Sequence, residues 1–136
     1  MKSVEFTIRG VDPVPKGRPR VTRFGTYTPK KTVDYEKLVR RSYVGNRFDG
    51  AILLSVTFGM RIPKSKPKRT QAAMAEGKIR PTTKPDADNL LKAVCDGLNG
   101  VAFEDDKQIV ALRAAKVYAF EPFITVRIAE VGEDEE

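Results

Sequence analysis

Apolar residues along this chain follow two periodicities. Val4, Phe6 and Ile8 alternate with polar positions over Ser3 to Arg9, and Ile52, Leu54, Val56, Phe58 and Met60 do so in a later stretch. A period of two is that of a strand with one buried face, so both stretches predict strands. Gln108 to Tyr118 and Phe123 to Ala129 predict two more, joined by a turn at Glu121-Pro122. Elsewhere the spacing lengthens. Val33, Tyr35, Leu38, Val39 and Tyr43 predict a helix over Thr32 to Val44, with Thr32 as N-cap, Glu36 as early acidic residue and Gly45 as terminator. Pro67 and Gly77 bracket a short helix. Asp86 or Asp88 caps a third helix that runs to about Leu98 and closes at Asn99-Gly100.

The remaining segments connect these elements. Gly10 to Lys30 reads as a long loop rich in Pro, Gly and cations, Pro63 to Arg69 as a basic turn, and Arg80 to Pro85 as a linker. Residues 132–136 read as an acidic, disordered tail. The order β-α-β-α-α-β-β predicts an α+β fold: a single domain over residues 1–131, with a small mixed sheet of about four strands packed against helices.

Charge changes the picture. Residues 1–80 carry 19 Lys/Arg against 6 Asp/Glu, whereas residues 81–136 carry 6 against 12, leaving +7 overall. Asp86, Asp88, Asp96, Glu104, Asp105 and Asp106 crowd into one short stretch of the second half. A cationic half suits a polyanion. A carboxylate cluster suits a hard divalent cation.

Absences narrow the chemistry. The chain has no histidine and one cysteine, Cys95. Ser-His-Asp and Cys-His catalysis, a tetrahedral zinc site and an intrachain disulfide are all excluded. No apolar run reaches the about 18 residues of a membrane span, and Met-Lys-Ser-Val-Glu-Phe at the start is strand-like rather than a signal peptide. These features, with the lone cysteine, lead us to expect a cytoplasmic protein without a membrane partner.

Asp86 and Asp88 follow a proline and sit two apart, so in an extended approach to a helix both point the same way. Asp88, Lys92 and Asp96 share one helix face, with Leu90, Leu91, Val94 and Leu98 on the other. Asp105 and Asp106 stand just before a strand and can return to the helix mouth. Converged carboxylates could hold a metal ion that neutralises a phosphodiester, and Lys92 could orient water or offset phosphate charge. Equally, an Asp before a helix is ordinarily an N-cap, and an i, i+4 ladder ordinarily a solvated face. Among the cations, Lys16, Arg18, Arg20, Arg23, Lys30 and Lys31 could track a phosphate backbone, and Lys64 to Arg69 adds four more. Phe24 and Tyr27 could stack on exposed bases, or anchor the loop in the core. Cys95, Tyr35 and Tyr43 read as packing residues, and Gly97 as a site of close approach.

Taken in order, Lys84-Pro-Asp-Ala-Asp-Asn-Leu-Leu-Lys92, Asp96-Gly-Leu-Asn-Gly100 and Asp105-Asp-Lys-Gln-Ile109 resemble the RusA family of Holliday-junction resolvases. The resemblance implies a homodimer that cuts four-way DNA junctions with Mg²⁺ or Mn²⁺, encoded by a bacterium or phage. It implies Asp86, Asp88 and Asp106 as catalytic metal-binding acids, Asp105 as a supporting one and Lys92 as catalytic lysine. Some family members carry an arginine run before the first acid. Here Lys84-Pro85 stands instead, leaving Lys84 as the immediate DNA contact. No protein partner other than a second copy is expected, with Ile52 to Met60 and the Thr32 to Val44 helix as interface candidates. The alternatives are a non-catalytic DNA-binding module of the same fold, or a nuclease for forks or flaps.

Overall fold

In the computed structural model, residues 2–132 are described; the expected tail, apart from Gly132, lies outside them. Strand β1 (Ser3–Arg9) is followed by a short hairpin, β2 (Arg20–Thr22) and β3 (Gly25–Tyr27), and then helix α1 (Lys30–Ser42). Strand β4 (Ile52–Arg61), helices α2 (Lys68–Ala75) and α3 (Ala87–Leu98), and strands β5 (Ile109–Ala119) and β6 (Phe123–Glu130) complete the chain. The main sheet has the order β1-β6-β4-β5. β4 pairs in parallel with β5, and the other pairings are antiparallel, so this is an α+β fold with a mixed four-stranded sheet.

The period-two pattern explains how the sheet packs. Ile52, Leu54, Val56 and Phe58 of β4 are fully buried beside Ile124, Val126 and Ile128 of β6. Helices α1 and α3 supply Val39, Leu90, Val94 and Leu98 to the same continuous core. The two helices approach closely at Gly97, where an added Cβ would stand 2.9 Å from the Glu36 carbonyl oxygen and 3.0 Å from Val39 Cβ. From α1, Arg40 reaches across to the end of α3, donating to the carbonyls of Gly97 (3.3 Å) and Asn99 (3.2 Å). A cation there complements the negative end of the helix.

Three expectations change. The stretch read as a loop contains the β2–β3 hairpin, whose residues are all exposed. Its turn is closed by Thr22, whose Oγ1 accepts from Phe24 N and donates to Gly25 O. Thr32 is not an N-cap: α1 begins two residues earlier, after Pro29, and Thr32 lies buried inside it. Its hydroxyl instead accepts from Gly17 N at 3.1 Å, tying the basic loop to the helix. Strand β4 lies between β6 and β5, so both its edges are already paired and it cannot extend the sheet into a second copy edge to edge.

Candidate nuclease site

Asp86 holds the N-cap position of α3, yet its carboxylate makes no capping hydrogen bond. The ordinary structural reason for an Asp at a helix start is therefore absent. Among the described residues, the side chains of Asp86, Asp88 and Asp106 form no ion pair and no hydrogen bond. Asp86, Asp88 and Lys92 are exposed, and Asp105 and Asp106 half-buried. The expected Asp88–Lys92–Asp96 ladder is half formed: Lys92 Nζ lies 3.5 Å from Asp96 Oδ1.

A cleft of about 590 Å³ opens beside the start of α3. Asp86, Asn89, Lys84 and Pro85 form one wall, and Pro13, Pro15, Lys16 and Arg18 of the basic loop, with Lys31 of α1, form the rest. The loop is docked there by its backbone, Lys16 N donating to Asn89 O at 2.9 Å. Arg18, Lys31 and Lys84 thus share a cleft with a free carboxylate.

Asp106 opens the short turn before β5. Its charge, after burial, helps push the Cys95 thiol up to about 11, as does that of Asp96, with Lys92 opposing. Among the described residues, no three acidic side chains are gathered closely enough to hold one ion. Asp86 and Asp88 stand two apart at the start of α3, and Asp106 comes from the separate short turn before β5. The donors still fit Mg²⁺, which takes one or two carboxylates and fills its other positions with water and phosphate oxygen.

The turn that carries Asp105 and Asp106 is pinned by Gln108. Its Oε1 accepts from Glu104 N (2.8 Å) and Asp105 N (3.4 Å), while its Nε2 donates to the carbonyls of Phe48 (2.9 Å) and Gly50 (3.0 Å). One amide thus fixes the acidic turn to the segment leading into β4.

The cations divide into two groups. Arg20 and Arg23 stand on the exposed hairpin, and Lys30 pairs with Asp34 at 3.1 Å on the surface of α1. Lys16 differs: its ammonium is 2.7 Å from Glu36 and 2.9 Å from Asp96, and its side chain is only 24% exposed. Engaged with two carboxylates, it is a link between α1 and α3 rather than a free phosphate contact. Phe24 is not anchored in the core but 87% exposed at the hairpin tip, with the Arg23 guanidinium 5.0 Å from its ring centre, and Tyr27 is half exposed.

The family model for endodeoxyribonuclease RusA matches residues 10–129. The chain belongs to the RusA family. It is also similar to the uncharacterized protein YqaN of Bacillus subtilis (strain 168), with 34% identity over 142 aligned residues covering 97% of this chain and 99% of the relative. The RusA match spans the basic loop, the cleft and the acidic turn together. Nuclease activity on DNA follows from membership, and no helix among the described residues is long and apolar enough to cross a membrane.

Two features of this RusA-family site were not foreseen from the sequence. One is the Gln108 pin. The other is Lys116 of β5, which donates to the carbonyls of Thr83 (2.7 Å) and Pro85 (2.8 Å) immediately before Asp86. Its sequence signal is a lysine on the inward parity of β5, registered beside buried Phe58.

Proposed function

We propose that this protein is a structure-selective endonuclease that resolves four-way DNA junctions by paired, metal-dependent hydrolysis of phosphodiesters. The observation that carries the reading is an uncapped, unpaired carboxylate, Asp86, in a cleft shared with Arg18, Lys31 and Lys84. Free carboxylates near phosphate-binding cations would weaken simple DNA binding, so a cation between them and the substrate gives their placement a purpose.

Asp86 and Asp88 would hold Mg²⁺, or Mn²⁺ in its place, with Asp106 and, less directly, Asp105 approaching from the acidic turn. When bound, such an ion neutralises phosphate charge and lowers the pKa of its water. The cleft cations hold the backbone in register. Lys92, exposed and one turn beyond Asp88, presents an ammonium that can orient the attacking water or offset charge on the phosphate. The exposed hairpin brings Arg20, Arg23, Phe24 and Tyr27 toward the branched part of the substrate, where unpaired bases offer faces for stacking.

Junction resolution needs two nicks in opposed strands, and one chain carries one carboxylate set. A symmetric homodimer supplies two. Among the described residues the outer edge of β5 pairs with no other strand, and its first half carries exposed Val110 and Leu112, which supports this reading, since exposed edges are ordinarily covered. We place the reaction in the cytoplasm of a bacterial or phage-infected cell.

The test compares a synthetic four-way junction, a fork, a flap and linear duplex, each with and without Mg²⁺. Paired nicks in the junction that require the metal are expected. Preferential cutting of forks or flaps would reassign the substrate. Tight junction binding without cleavage in any divalent metal would leave only a binding module.

A further inference from the structure

The segment that delivers Asp86 to the cleft is held in an unusual way. Residues 80–85 lie between α2 and α3, after the turn that closes α2, and include Pro81 and Pro85. Among the described residues, they form no backbone–backbone hydrogen bond with any other part of the protein. Their only hydrogen bonds among the described residues are the two from the Lys116 ammonium, at 2.7 Å to Thr83 O and 2.8 Å to Pro85 O. These carbonyls flank Lys84, which lines the cleft, and the second belongs to the peptide unit that leads directly into Asp86.

Lys116 is an improbable residue for mere filling. On β5 it occupies the register position beside Phe58, which is completely buried, and shares its parity with Ala114 and Tyr118. A half-buried ammonium must recover hydrogen bonds lost from water, and carboxylates are its ordinary partners. Here the partners are neutral carbonyls of a segment whose other hold on the fold is the buried ring of Pro81. Bonds from a charged donor are roughly twice as strong as neutral ones. The arrangement fixes the segment to the sheet at two points, one on each side of Lys84.

We infer that Lys116 is a positioning residue of the nuclease site: by clamping the carbonyls of Thr83 and Pro85 it sets where the Asp86 and Asp88 carboxylates and the Lys84 ammonium stand in the cleft. It touches neither substrate nor metal. The inference rests on the nuclease reading for its consequence, but the clamp itself can be measured without cleavage. Groups that orient metal ligands from behind affect metal affinity by about 10–100-fold when removed.

Lys116→Met keeps the length and the apolar stem and removes the donors. Lys116→Arg keeps donors and charge, and Lys116→Gln keeps one donor group. Three quantities are compared with the wild-type full chain: backbone ¹⁵N order parameters at Thr83, Lys84 and Asp86; the Mn²⁺ concentration that half-broadens the Asp86 and Asp88 amide signals; and junction binding without metal. In Lys116→Met the order parameters should fall from the rigid range near 0.85 toward about 0.6. The Mn²⁺ half-point should rise about tenfold or more. Metal-free junction binding should change by less than about threefold, and nicking should recover at saturating metal. Arg should restore most of the loss, and Gln should fall between. If Lys116→Met does not fold, Lys116→Gln is read on the same scale. A folded Met or Gln variant with unchanged order parameters and an unchanged Mn²⁺ half-point overturns the inference. A wild-type chain that binds Mn²⁺ at these amides but never nicks DNA would defeat the nuclease reading and leave the clamp standing.

Discussion

The Lys16 ammonium lies 2.9 Å from the Asp96 carboxylate, joining the basic loop to α3. Glu36 of α1 takes the same ammonium at 2.7 Å, so one cation ties three segments together. Partial burial alone would lower its pKa, but hydrogen bonds and charge from Glu36 and Asp96 outweigh this and hold it above its ordinary 10.5. A raised pKa stabilises the fold fully at pH values below the unfolded pKa. That contribution is lost as pH rises through the folded one.

Lys16→Met should therefore cost about 1–3 kcal/mol at neutral pH, since it strands two partly shielded carboxylates. Urea unfolding from pH 7 to 11 should show the gap between wild type and variant closing only at the alkaline end. The salt dependence of DNA binding should be unaltered in the folded variant. A normal urea midpoint with a flattened salt slope would return Lys16 to the phosphate contacts.

Asp86→Asn, Asp88→Asn and Asp106→Asn should each lower metal-dependent nicking by orders of magnitude while junction binding persists or tightens. Lys92→Ala should slow nicking far more than it weakens binding. Its 3.5 Å pair with Asp96 joins an exposed ammonium to a half-buried carboxylate that Lys16 also holds, and an i, i+4 pair is worth about 0.5 kcal/mol, so the thermal midpoint should shift by no more than a few degrees. Near wild-type nicking by Asp86→Asn would sink the assignment of the site.

The basic loop and the hairpin it carries should supply salt-sensitive and shape-sensitive affinity separately. Replacing Arg18, Arg20 and Arg23 together with Gln should flatten the log–log salt slope by up to about 0.9 per lost contact. Phe24→Ala should weaken junction binding by about 1–3 kcal/mol if its ring stacks on a base, with a much smaller effect on linear duplex. Equal losses on junction and duplex would show that the hairpin tip does not read branching.

Cys95 should be inert in the folded protein. It is buried, and its thiol is pushed up to about 11 by burial and then by Asp106 and Asp96. At pH 8, iodoacetamide labelling should be slow in buffer and should follow the urea unfolding curve. Fast labelling under native conditions would place the thiol at the surface.

Local pattern was enough for most elements. Alternation set β1 and β4 because a strand has only two faces and one must be buried. Helical spacing, with Pro67, Asp86, Gly77 and Gly100 at the ends, set the three helices, because backbone breakers and unsatisfied terminal amides act within one turn. The three-part acidic motif, spread over residues 84–109, located the family and the carboxylates. The hairpin was hidden because Arg20 to Tyr27 buries nothing: without an apolar face, its pattern resembles that of a loop.

Tertiary structure decided which charges are free. Lys16, Arg18 and Arg20 look alike along the chain, yet Lys16 is withdrawn from the surface by Glu36 and Asp96, which lie 20 and 80 residues away. Thr32 has the chemistry of an N-cap, yet Gly17 claims its hydroxyl. Asp86 has the position of a cap, yet its carboxylate remains unpaired. Lys116 reads as one more strand lysine until the fold brings Thr83 and Pro85 to it. Sequence specifies which groups can bond, whereas burial and long-range approach determine which of them do.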